Sequence, residues 1–162
     1  DQKGLELEFA FLINEYLTVT AAAGFIDAEW DAGTVMPDGT DLSGRTPSNV
    51  IDDGFSITAD LNRPISDDLT FLASLQFSHQ GQGESMPPFD PITNEAYSVL
   101  NLQAGFQKGY WELMLNVDNA TDEKYYTDLE NFPNFGVDGP PTIVIGTHGH
   151  PRIVSASLSY SF

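Results

Sequence analysis

The chain has no cysteine, only six lysines and arginines together, and no apolar run near the length of a membrane-crossing helix. Without cysteine there is no disulfide framework and no thiolate zinc site, and the redox compartment stays open. Against the six cations stand 24 aspartates and glutamates, a formal net charge of −18 over 162 residues. Such a surface repels a phosphate backbone, which excludes nucleic acid as a partner. A spanning helix needs about 20 consecutive apolar residues, so any crossing of a membrane falls to strands. The basic, apolar and small-residue regions of a secretory signal do not open the chain; a strand pattern begins almost at once, as expected of an excerpt from a longer protein. There is no Gly-x-Ser-x-Gly elbow, no phosphate-cradling glycine loop and no twelve-residue calcium signature. No cofactor and no enzymatic activity are expected.

What the chain does have is alternation. Leu5, Leu7, Phe9, Phe11 and Ile13 interleave with Gly4, Glu6, Glu8 and Ala10, and Leu17, Val19, Ala21, Ala23 and Phe25 interleave with Thr18, Thr20, Ala22 and Gly24. Successive side chains of a strand point to opposite faces, so each segment presents one greasy face and one polar face. The second strand is expected to reach Trp30. Phe55, Ile57, Ala59 and Leu61 make a third strand, with Pro64 expected to end it because proline cannot donate to a ladder. Leu69 to Phe77, Leu100 to Phe106 and Trp111 to Val117 follow as fourth, fifth and sixth. The last eleven residues, Arg152 to Phe162, alternate without a break and stop on an aromatic.

Between these seven strands the connections run short and long by turns. Asn14-Glu15, Ser66-Asp67-Asp68 and Lys108-Gly109 are tight; Asp31 to Asp53, Gly81 to Asn94 and Asn119 to His150 are long and rich in turn-forming residues. Antiparallel order then gathers the tight turns at one end of the sheet and the long loops at the other, the asymmetry of outer-membrane barrels. Tyr16, Phe71, Phe106, Tyr110, Trp111, Tyr160 and Phe162 fall near the tight-turn end, and Phe25, Trp30, Phe55 and Phe77 near the loop end, as two interfacial girdles would. Tyr97 has inward parity. The fold expected is an all-β, antiparallel transmembrane barrel segment. Seven is odd, whereas single-chain bacterial barrels use even numbers. The first strand is therefore expected to pair with an upstream one, and the last to seal a larger barrel. Two rival readings are an independent small outer-membrane barrel, with lipid-modifying activity among its options, and a soluble acidic β-sandwich that binds calcium or carbohydrate.

Few residues suggest chemistry. His148 and His150 lie one residue apart, so an extended segment can turn both imidazoles to one side; without a third ligand they are weak metal candidates. Asp27, Glu29 and Asp31, with Asp52 and Asp53, are oxygen donors at loop bases, ordinarily solvated or bridged by divalent ions to lipopolysaccharide. Glu6, Glu8, Asp60, Glu112 and Asp118 have inward parity, as a wet, cation-attracting lumen would require. Asn119-Ala120-Thr121 matches a glycosylation sequon incidentally.

Asn119-Ala120-Thr121-Asp122-Glu123-Lys124-Tyr125-Tyr126, then Gly149-His150-Pro151-Arg152 and a strand ending Tyr160-Ser161-Phe162, resembles the carboxyl end of TonB-dependent outer-membrane receptors. The opening Gly4-Leu5-Glu6-Leu7-Glu8 and Asp27-Ala28-Glu29-Trp30 are similar to earlier strands of that family, so the resemblance spans residues 1–162. It implies a barrel of about 22 strands around an amino-terminal plug, importing a scarce small-molecule ligand of the iron-chelate, cobalamin or glycan class with energy delivered by TonB through the plug. It also implies that Tyr160 and Phe162 carry the signal read by the barrel assembly machinery, and that outer-membrane lipid, lipopolysaccharide, the remaining strands and the plug are the chain's partners. The plug and the TonB-contacting segment have no counterpart here. This portion would contribute wall, lumen lining and ligand-facing loops.

Overall fold

The computed structural model describes residues 1–48, 50–84, 92–133 and 142–162. The strands are β1 (Gln2–Asn14), β2 (Leu17–Ala28), β3 (Asp53–Ser66), β4 (Leu69–Gln80), β5 (Gly83–Glu84), β6 (Thr93–Asn94), β7 (Tyr97–Lys108), β8 (Trp111–Asp118), β9 (Tyr126–Pro133), β10 (Thr142–His148) and β11 (Ile153–Tyr160). Seven of them form one antiparallel sheet in the order β1-β2-β3-β4-β7-β8-β11, with β1 and β11 at its edges. It is an up-and-down sheet in which each main strand pairs with the next, and all seven expected strands are present. The chain is all-β; no helix occurs among the described residues.

Register turns the alternation into two continuous faces. Phe11, Val19, Ala59, Leu75, Leu102, Val117 and Val154 are successive cross-strand partners, one from each of the seven strands. The adjacent row on the opposite face reads Leu12, Thr18, Asp60, Ser74, Gln103, Asn116 and Ser155, polar in all but its first member. Because side chains repeat every second residue, one such row fixes the facing of the rest.

Within the described residues, neither short strand pair packs on this sheet. Among the described residues the only buried apolar side chains are Ala28 and Leu42, at 6% and 4% exposure. Leu5, Phe9, Phe11, Leu75, Leu113, Leu115 and Leu158 stand exposed. Ordering a backbone costs about 1–2 kcal/mol per residue, which a water-soluble domain offsets mainly by burying apolar area. This sheet buries almost none within itself, so its greasy face requires an apolar surrounding from outside the described chain. The β-sandwich reading needs a second layer, which the described residues do not supply.

The turns explain themselves locally. Asn14 Oδ1 accepts the Tyr16 and Leu17 N–H groups at 2.9 and 3.0 Å, closing β1 onto β2. Ser66 Oγ donates to Asp68 Oδ1 at 3.1 Å. Gly109 takes φ +54 between β7 and β8, a conformation that a side chain resists. All three turns lie at one end of the sheet, together with Tyr160 opposite Trp111.

The structure corrects three expectations. β3 continues through Pro64, which pairs with Thr70, and ends at Ser66 after a register shift. Pro64 shares parity with Asn62, whose N–H donates to Tyr16 O. Its nitrogen therefore faces the β2 side level with the turn before Leu17, where β2 has not yet begun, and no ladder bond is lost. β2 stops at Ala28 rather than Trp30, because Trp30 exchanges both backbone bonds with the far side of its own loop: its N–H donates to Arg45 O and its carbonyl accepts from Gly44. Finally, the Asn119–His150 connection carries the β9–β10 hairpin, and the Gly81–Asn94 connection the short β5–β6 pair.

Candidate functional site at the loop end of the sheet

The polar face is stitched by side chains that meet across neighbouring strands. Ser74 Oγ donates to Asp60 Oδ1 at 2.7 Å, Tyr97 Oη to Gln80 Oε1 at 3.0 Å, Asn101 Nδ2 to Gln76 Oε1 at 3.3 Å and Asn116 Nδ2 to Ser155 Oγ at 3.4 Å. Tyr97 thus has the inward parity expected of it. Glu6 and Glu8 share this face opposite Gly24 and Ala22. There the sheet opens into a depression of about 550 Å³ whose lining includes Glu6, Glu8, Gly24, Gly54, Ser56 and Gln80. Asp60, Glu112 and Asp118 have the same facing by register. Together these groups make a polar, acidic wall, a surface that attracts cations.

The first long connection folds on itself. Its two sides exchange backbone bonds, Leu42 N to Thr34 O and Met36 N to Thr40 O, both at 2.9 Å, and Leu42 is its buried centre. Asp38 Oδ1 accepts Thr40 N–H and Asp41 Oδ1 accepts Ser43 N–H, each at 2.9 Å; the Thr40 N–H holds the Asp38 carboxyl below its ordinary range, and the Ser43 hydroxyl, then its N–H, holds that of Asp41.

The third connection is tied to the sheet by Asn119, only 2% exposed and at φ +47. Its Nδ2 donates to Glu123 O and His150 O at 2.9 Å, and its Oδ1 accepts Glu123 N–H at 2.9 Å. Its own N–H donates to Asn101 Oδ1 at 2.9 Å. Asp122 Oδ1 accepts Arg152 N–H at 3.0 Å while Oδ2 meets Lys124 Nζ at 3.0 Å, and these partners, the Arg152 N–H foremost, lower its pKa. Tyr125 stacks on Tyr97 at 4.1 Å and lies over Gly149, where a Cβ would enter the ring. The Asn119–Tyr126 and Gly149–Arg152 stretches, 23 residues or more apart in sequence, are therefore two halves of one hydrogen-bonded knot.

The other candidates scatter. His148 ends β10 opposite Tyr126, its ring 4.2 Å from the tyrosine's, whereas His150 is engaged through its carbonyl by Asn119. No third ligand joins them: among the described residues no group of three or more His, Cys, Asp or Glu could hold a metal. Asp27, Glu29 and Asp31 are likewise not gathered with Asp52 and Asp53. Tyr160 lies 4.7 Å from Trp111 and 6.2 Å from Tyr110, and Phe162 projects beyond the last pair, fully exposed.

Sequence reasoning missed one cluster on the apolar face. His79 Nδ1 is 2.9 Å from Ser98 Oγ, and its Nε2 is 3.8 Å from Asp53 Oδ2. The signal was parity: His79 and Ser98 fall on positions whose neighbours in the pattern are Phe77 and Leu100.

Comparison with models of known protein families and with curated proteins gives no match.

Proposed function

We propose that this chain is the carboxyl-terminal part of the wall of a TonB-dependent outer-membrane receptor, contributing lumen lining and ligand-facing loops to the energised uptake of a scarce small-molecule ligand. One observation carries the membrane assignment: a seven-stranded sheet with one predominantly apolar face and, among the described residues, no protein layer against it. Lipid is the surrounding that suits such a face. β1 to β4 and β7 run 12 to 14 residues, enough for a tilted crossing that takes roughly 9–11. Aromatic pairs at the tight-turn end, Phe71–Phe106 at 5.3 Å and Trp111–Tyr160, and at the loop end, Phe55–Phe77 at 5.8 Å, suit two interfacial belts.

Closure also favours a larger barrel. With seven up-and-down strands, β1 and β11 point the same way. Antiparallel closure then takes an odd number of further strands, and it removes two edges of unpaired backbone groups from hydrocarbon, where each costs several kcal/mol. The receptor assignment within the outer membrane rests on the resemblance of the Asn119–Tyr126 and Gly149–Arg152 stretches, and the contact between those stretches supports treating them as one motif.

These 162 residues carry no cysteine, so a full-length background with any cysteine elsewhere replaced makes the test clean. Single Leu102→Cys and Gln103→Cys variants of the full-length protein, in outer membranes, are exposed to a water-soluble maleimide and to a lipid-phase reagent. Leu102→Cys should react only from lipid and Gln103→Cys only from water; equal reaction with the soluble reagent would end the barrel reading. Deleting the receptor gene and measuring growth on a panel of iron chelates, cobalamin and glycans as limiting nutrients would then test import.

A further inference from the structure

Besides the Lys3–Asp27 pair at the ends of β1 and β2, three polar side chains interrupt the apolar face near its loop end. His79 and Ser98 lie in the same row as Leu7, Ala23 and Phe55, and Asp53 lies one position nearer the loops, opposite Phe25. A hydroxyl and an imidazole facing hydrocarbon cost free energy unless they are paired, and polar groups at such positions are rarely idle. Here the three groups lie in order: the hydroxyl 2.9 Å from imidazole Nδ1, and the carboxylate 3.8 Å from Nε2 on the ring's other side. The Phe55 ring packs 5.2 Å from the imidazole. A Cβ at Gly81 would stand 2.5 Å from Asp53 Oδ1, so the bare glycine leaves the carboxylate its place.

We propose that Ser98, His79 and Asp53 form an acyl-ester hydrolase site on the lipid-facing wall, with outer-leaflet phospholipid esters as its substrate class. The substrate assignment rests on the reading that this face meets lipid. In the productive state Asp53 closes on Nε2–H, which leaves Nδ1 free to accept a proton. Ser98 Oγ bonds to the ester carbonyl carbon while its proton passes to His79 Nδ1. The acyl carbon–oxygen bond breaks, and the alcohol leaves with that proton. Water then attacks the acyl-serine, giving a proton to His79, which returns it to Ser98 Oγ as the fatty acid departs. Water is the sole co-reactant, and no oxidation state changes.

The test uses the full-length protein in detergent, with a soluble fluorophosphonate probe and peptide mapping, then vesicles of phosphatidylethanolamine and phosphatidylglycerol with fatty-acid release as the readout. Ser98 should be labelled and Ser98→Ala should abolish both signals. His79→Asn should slow labelling by about 100-fold or more, the usual contribution of a positioned base. Asp53→Asn should slow it by up to about 10⁴-fold, with Asp53→Glu restoring it, a rescue that a mere spacer would not give. Retained heat-modifiable migration shows that each variant is folded. No label on Ser98 in the folded wild type, or a rate unmoved by His79→Asn, overturns the site. Label without fatty-acid release overturns the lipid substrate, and neither result bears on whether the chain is a receptor wall.

Discussion

The loop from Glu29 to Asp52 and the connection from Asn119 to Arg152 leave the same end of the sheet, yet they are held in opposite ways. The first closes on its own backbone and keeps Leu42 as a miniature core. The second has no buried apolar side chain among its described residues, and a single amide side chain binds its start, Glu123, to its end, His150. A loop with its own core is a local unit that can open without disturbing the sheet. A loop knotted around a buried polar residue transmits damage, because that residue also engages Asn101 in β7.

The contrast breaks most sharply at Asn119. Asn119→Ala leaves the Glu123 N–H, Glu123 C=O and His150 C=O without their partner and keeps a left-handed backbone that alanine resists, so about 3–4 kcal/mol should be lost. Hydrogen exchange should show the loss spreading into β8 and β11; a change confined to the loop would erase the distinction. Asn119→Gly relieves only the backbone part, and should recover about 1 kcal/mol of it.

Leu102→Arg should cost roughly 2–4 kcal/mol in barrel insertion, against little for Gln103→Arg, as read by urea titration in vesicles. It probes the sheet that both connections share, and equal costs would deny that its faces differ. Leu42→Ala should cost about 2–3 kcal/mol, expressed as faster proteolysis within residues 30–45 and unchanged protection of β2 and β3.

Acid offers the gentlest comparison. Asp38, Asp41 and Asp122 all have depressed pKa values in the folded chain. Each therefore contributes stability that is complete above the ordinary carboxylate range and disappears as pH falls through the folded value. Below about pH 4 the Arg152 amide should lose exchange protection, and Asp122→Asn should remove that pH dependence. The same titration of Asp38 and Asp41 should loosen only their own loop.

The sheet was legible because its signal is local and repeats every two residues: Leu5 to Phe11, Leu69 to Phe77 and Val154 to Phe162 announce their strands and faces alike. The short connections were legible as well, since Asn14, Ser66 and Gly109 carry turn chemistry on their own. What escaped was whatever depended on a partner. The β9–β10 hairpin was hidden among turn formers, although the β-branched run Thr142-Ile143-Val144-Ile145 was a usable sign. Pro64 reads as a strand end only if β2 is assumed to run alongside it. The Asn119 knot could be recognised as a pattern, but not as a set of bonds across 31 residues.

By itself, then, the sequence determined the strand period, the two chemistries of the faces and the order of turns, because each follows from neighbours in the chain. Only the tertiary structure decided that the greasy residues of all seven strands line up in shared rows, that Asn119 meets His150 and that Ser98, His79 and Asp53 converge. Those are distances between residues on different strands, and register, rather than composition, sets them.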